Sequence, residues 1–223
     1  IAVVIHRLGP SHAATLAAIQ QLPADVTLSF EPYGDNLDYW IRLARAGGHE
    51  VMIDLPMEPV NYPAVDPGPQ TLLTTLTTRQ NRERMEWVLS RTQGYVGVVN
   101  HLGSRFTLSD EHLQPVLTSL RDRGLLYLDS RAASRSRAPG MAREIGLPRA
   151  SNDRFLDVEA SRDAIDLRLK EVERIARDAG VAVTIGLPYP VTIERITLWA
   201  KTLDGRGLVL APISAIVDRQ PER

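Results

Sequence analysis

No cysteine occurs among the 223 residues, which removes disulfides, thiolate zinc sites and cysteine nucleophiles together. An excess of one charge is missing too: 26 Lys plus Arg stand against 27 Asp plus Glu, a formal net charge of -1. That balance supplies no long-range attraction for nucleic acid or anionic membrane, so neither is an expected partner. No uninterrupted apolar run approaches the ~20 residues needed to span a bilayer. Ile1 to Ile5 is too short even for a signal core and reads as a strand. A strand at residue 1 without a leader suggests that the numbering begins inside a longer gene product whose export or anchoring segment is missing. The 43% hydrophobic and 24% charged residues are those of an ordinary globular protein. At this length one core is expected, with residues 1–223 forming one domain.

What is present is a repeated unit. An apolar run ends in a polar elbow and a helix follows. Ile1 to Ile5 ends in His6-Arg7-Leu8-Gly9-Pro10, and Ser11 then caps a helix carrying Leu16, Ile19 and Leu22. Val26 to Phe30 ends in Glu31-Pro32-Tyr33-Gly34 before a helix over Leu37 to Ala46. His49 to Ile53 ends in Asp54, and the Pro-, Gly- and Asp-rich stretch from Val60 to Thr71 reads as an ordered loop over the strand ends. Tyr95 to Val99 stops at Asn100-His101-Leu102-Gly103-Ser104. Further strands are expected over Leu125 to Leu128, Arg154 to Leu156, Val181 to Ile185 and Gly207 to Leu210, with helices near 78–90, 113–120, 141–145, 161–180 and 192–203. The arginines of Ala132 to Pro148 read as a solvated face, since no aromatic residues interleave with them. Seven to eight mostly parallel strands, each followed by a helix or helical loop, predict a distorted (β/α) barrel of the α/β class.

In such a barrel the strand ends share one face, where ligands bind. That ring would hold His6, Arg7, Glu31, Asp54, Asn100, His101, Asp129, Ser130 and Asp157. Two histidines among carboxylates form a ligand set for zinc, iron or manganese with an open position, suited to hydrolysing an amide or ester. Strand-end Asp and Asn residues are also ordinary caps and turn formers, which accounts for about half of the ring without chemistry.

Six segments carry a resemblance. They are Ile5-His6-Arg7-Leu8-Gly9, Gly48-His49-Glu50-Val51 through Leu55-Pro56-Met57-Glu58-Pro59, Asn100 to Ser104, Leu128-Asp129-Ser130, Phe155-Leu156-Asp157 and Ile185-Gly186-Leu187-Pro188. In this order they resemble the motifs of the divergent polysaccharide deacetylase family, within the NodB-like carbohydrate esterases. The resemblance implies a distorted barrel that removes N- or O-acetyl groups from a polysaccharide with a divalent metal, zinc foremost, and a periplasmic or cell-envelope location. It implies a metal set of His6, Asp54 and His101, with catalytic roles near His6, Arg7, Asp129, Ser130 and Asp157. Glu31, Asn100, Ser104 and Tyr189 would contact a polysaccharide or oligosaccharide.

The chain departs from that pattern. The family's first elbow usually reads Asp-Asp where His6-Arg7 stands, and the positions of Asp54 and Leu187 are usually histidine. Leu187 can transfer no proton. One reading is a reciprocal exchange, in which His6, Asp54 and His101 still hold a metal. Another is decay, with Arg7 entering the metal region to pair with Asp54 or a sugar carboxylate, since a guanidinium there repels a cation by a few kcal/mol even at an effective dielectric near 20. Losing a general base and a general acid costs on the order of a hundred- to ten-thousand-fold each in rate, so decay implies a binding module. An envelope protein-interaction module on the same fold is a third reading, marked by an exposed apolar patch on the outer helices.

Overall fold

Residues 1–221 are described by the structure, a computed structural model. Among them eight strands run parallel: β1 (Ala2–Leu8), β2 (Thr27–Phe30), β3 (Val51–Met57), β4 (Gly97–Leu102), β5 (Leu126–Asp129), β6 (Arg149–Ser151), β7 (Arg154–Phe155) and β8 (Val183–Gly186). Their order across the sheet is β6-β5-β4-β3-β2-β1-β8-β7. The sheet curls into a half-barrel. Its two edges, β6 and β7, are consecutive in sequence, and the two residues joining them straddle the seam: Asn152 donates its N–H to Asp129 O (2.8 Å) and Asp153 donates to Val183 O (2.9 Å).

Seven helices complete the units: α1 (His12–Gln21), α2 (Leu37–Ala46), α3 (Thr78–Leu89), α4 (Asp110–Asp122), α5 (Ala138–Glu144), α6 (Arg162–Ala179) and α7 (Pro190–Ala200). Ser11 and Ser161 cap α1 and α6 by accepting from Ala14 N and Ala164 N, as short polar residues before an apolar-periodic run should. Thr77 and Gln80 form a reciprocal capping box on α3. Thr192, expected to open the last helix, instead lies inside α7, which Tyr189 precedes.

Strand alternation sorts the side chains into two cores. Val3, Ile5, Val51, Ile53, Val98 and Tyr127 pack outward against the helices. Ala2, Val4, Met52, Val99, Leu126, Leu128, Val183 and Ile185 fill the interior with Ile213 and Ile216. Those last two belong to the C-terminal segment, a short 3₁₀ turn (Ile213–Ala215) that crosses beneath the strand N-termini. There Ile213 N–H donates to Thr27 Oγ1 (3.0 Å), and Ser214 Oγ donates to Glu50. The barrel bottom is thereby closed, and the polar ends of the strands at the top remain available for a site.

Two strand expectations are corrected. Gly207 to Leu210 is not a strand: it runs in extended coil beside Ile1, whose terminal ammonium donates to Val209 O (2.8 Å). The eighth strand is β6, Arg-Ala-Ser, too short and too polar to announce itself by periodicity. The polar elbows also start lower than the apolar runs imply, because Asp54 lies within β3 and Asn100 and His101 within β4. No helix among the described residues is long and apolar enough to cross a membrane.

Candidate functional site

Above the apolar interior layer, the next inward positions are polar. His6 follows Ala2 and Val4 on β1, Ser29 follows Thr27 on β2, Asp54 follows Met52 on β3 and His101 follows Val99 on β4. Period-two alternation on adjacent strands therefore assembles a buried polar floor at the top of the barrel. Asp54 is at its centre and fully buried. Its Oδ1 accepts from Ser29 Oγ (2.5 Å) and its Oδ2 from the backbone N–H of Arg7 (3.0 Å). His6 Nδ1 lies 3.7 Å from the same Oδ2, beyond hydrogen-bond reach, and has no hydrogen-bond partner among the described residues. The rings of His6 and His101 lie 6.0 Å apart between centroids.

Burial dominates the electrostatics. It lowers His6 to about 4, helped by the charge of Arg7. Burial likewise lowers His101 to about 4, opposed by Asp54 and assisted by His6 and Arg7. Asp54 is raised by burial, against His101, the Ser29 hydroxyl and Arg7. At neutral pH both imidazoles are uncharged, each with one nitrogen able to accept a hydrogen bond.

Arg7 does not enter the floor. Its backbone is left-handed (φ 63°), so its amide turns onto Asp54 while its side chain swings outward to Glu31, Nε to Oε1 at 2.7 Å. The expected Arg7–Asp54 ion pair is thus an Arg7–Glu31 pair at the rim, and the partner of Asp54 is the Arg7 amide.

The other predicted residues separate by role. Asn100 is fully buried: Oδ1 accepts from Ser130 N (2.7 Å), while Nδ2 donates to Leu102 O (2.7 Å) and Ser130 Oγ (2.9 Å). Its donors and acceptor are spent in stapling β4 to the loop after β5, so Asn100 and Ser130 act as a brace. Ser104 accepts from Val60 N (3.1 Å) and ties two rim loops together. Asp157 Oδ2 accepts from Leu187 N (2.6 Å) and Thr192 Oγ1 (2.8 Å), fixing the loop between β8 and α7; burial raises its carboxyl against those two bonds. Tyr189 is 41% exposed on that same loop. Asp129 is not part of the floor: Leu126 and Leu128 face the interior, so alternation turns Asp129 toward the helices, where it lines a separate cavity.

Sequence reasoning missed Ser29, whose signal was the alternation Thr27-Leu28-Ser29-Phe30 with both small polar residues inward. It also missed the anchoring role of Glu58. That carboxylate accepts from Thr74 N (2.6 Å), Thr74 Oγ1 (2.7 Å) and Arg105 Nη1 (3.0 Å), holding the long loop after β3 against the loop after β4.

The proposed metal set does not fit this arrangement. Among the described residues no three His, Cys, Asp or Glu side chains are gathered as a cation site, and both oxygens of Asp54 are engaged by protein donors.

The divergent polysaccharide deacetylase family model matches residues 3–217. An uncharacterized protein of Haemophilus influenzae is 28% identical over 193 residues, covering 86% of this chain and 68% of its own. The crystal structure of an uncharacterized protein from Agrobacterium tumefaciens superposes with a TM-score of 0.95 at 36% identity, over 97% of this chain and 88% of that one. At 13% identity, a CE4 family pseudoenzyme from Bacillus anthracis shares the fold with a TM-score of 0.56, over 99% of this chain and 66% of that one. With the family's motifs on one curled barrel and the match running nearly end to end, this chain belongs to the divergent polysaccharide deacetylase family.

Proposed function

We propose that the protein binds an envelope glycan at the barrel mouth and that its metal-dependent deacetylase chemistry has degenerated. One observation carries the reading: Asp54 is satisfied within the protein, by the Ser29 hydroxyl and the Arg7 amide. Each oxygen keeps a second lone pair, so a cation would have to share Asp54 with these two donors, and among the described residues no three His, Cys, Asp or Glu side chains are gathered to complete its ligand set. The proton-transfer position holds Leu187, which contributes only its backbone N–H, to Asp157. What remains suits recognition: neutral imidazoles to accept sugar hydroxyls, the Arg7–Glu31 pair at the rim, and the exposed ring of Tyr189 for stacking on a sugar face. The pseudoenzyme character of the Bacillus anthracis neighbour is consistent with loss of activity on this fold. A periplasmic or envelope location accompanies the glycan in this proposal.

A second reading, the surviving hydrolase, is favoured by one feature: both histidines are neutral at pH 7, the form in which imidazole binds zinc. Incubating the full chain with N-acetylated chito-oligosaccharides and excess zinc separates the two. Binding without acetate release, weakened several-fold by Tyr189→Ala, supports the module. Zinc-dependent acetate release abolished by His101→Ala overturns it.

A further inference from the structure

On the flank of the barrel, between α4, α5 and the edge strand β6, lies a cavity of about 550 Å³ lined by the loop after β5 and by the C-terminal segment. That volume is in the range of small-molecule sites, roughly 300–1,000 Å³. It is separate from the mouth, since none of His6, Ser29, Asp54 and His101 lines it. Some of the arginines that line it are fixed by carboxylates. Arg137 is held by Asp110 through two bonds of 2.9 Å, and Arg149 by Asp218. Arg131 and Arg135 also line the cavity, and among the described residues neither side chain makes an ion pair with a carboxylate. Arg131 is presented by a left-handed backbone (φ 56°), which its own N–H fixes by donating to Asp129 Oδ1 (2.8 Å).

The second observation is the other oxygen of that carboxyl. Asp129 is 1% exposed, yet among the described residues its Oδ2 has no partner at hydrogen-bond distance. Buried polar atoms are rarely left so, and a lining carboxyl with a spare oxygen is an acceptor awaiting a donor. Burial raises this group, against the Arg131 amide, the Ser136 hydroxyl and the charge of Arg131. With the guanidiniums of Arg131 and Arg135 lining the same cavity, a neutral ligand hydroxyl complements this carboxyl better than a cation.

We propose that this flank cavity is a second binding site, for a sugar bearing one anionic group. The anion, a carboxylate or a phosphate, meets the guanidiniums of Arg131 and Arg135, and a ring hydroxyl donates to Asp129 Oδ2. Guanidinium binds both anions in a bidentate manner, so the chemistry is shared and the probe decides between them.

The test is calorimetric titration of the full chain with D-glucuronate, glucose 6-phosphate, D-glucose and inorganic phosphate. Binding of glucuronate or glucose 6-phosphate is expected, with glucose at least tenfold weaker, inorganic phosphate weaker than the sugar phosphate, and the tighter of the two sugar anions identifying the group. Arg135→Ala, at an exposed position that leaves the core intact, weakens binding about tenfold, and Arg131→Gln does the same. Three results overturn the proposal: no heat from either sugar anion, glucose binding as well as they do, or wild-type affinity in both arginine variants. Inorganic phosphate binding as tightly as glucose 6-phosphate overturns the hydroxyl contact to Asp129.

Discussion

Asp54 accepts from Ser29 and Arg7, and the two histidines beside it stay unprotonated down to about 4. A histidine lowered from 6.5 to about 4 leaves the unfolded chain binding the proton first, so stability falls as pH drops through that window. At about 1.4 kcal/mol per pKa unit, His6 contributes up to about 3 kcal/mol of this loss. Raised carboxyls such as Asp54 and Asp157 act with the opposite sign, so the clean measurement is a difference. Urea unfolding of wild type and His6→Gln between pH 7 and pH 4 should show a shallower loss in the variant; parallel curves would refute burial as the cause. Asn100→Ala leaves the buried amide of Ser130 unpaired and should cost about 2–4 kcal/mol in the same assay, whereas a purely ligand-binding asparagine would cost almost nothing. At this scale the sequence reveals residue types better than roles. Asn100 and His101 are neighbours in one motif, yet alternation sends His101 into the mouth and Asn100 into a brace.

At the scale of elements, periodicity finds what is apolar and continuous. The first five strands and the capped helices α1 and α6 were legible for that reason. Arg149–Ser151 was not, because an edge strand of three residues has no pattern of its own and is defined by its neighbours. There the Gln220 carboxamide accepts from Ser151 N (2.7 Å) and donates to Ser151 O (2.7 Å), taking the place of a further strand. Conversely Gly207 to Leu210 looks like a strand by composition, but its Leu208 and Leu210 pack against the outer core as coil, and its bonding to the β1 end is limited to Ile1. Gly97 begins β4 where the backbone of β5 comes closest. A Cβ there would collide with the Leu126 carbonyl and side chain, and relieving that clash should cost about 3 kcal/mol. A thermal melt of Gly97→Ala within a degree of wild type would contradict this packing.

For the whole molecule, the ring of strand ends read from the sequence divides into four places, one of them the rim, where Arg7 pairs with Glu31. His6, Asp54 and His101 share the mouth floor; Asn100, Ser130 and Asp157 hold loops; Asp129 turns to the flank cavity. No linear reading could separate them, because the division depends on strand register and on which face of each strand is inward. The central claim is that the mouth no longer holds a catalytic metal. The direct measurement is the zinc content of the full chain after equilibration with one equivalent of zinc at pH 7.5 and desalting. The account predicts far less than one zinc per chain, with no difference between wild type and His101→Ala. One zinc per chain in wild type that disappears in His101→Ala would contradict it.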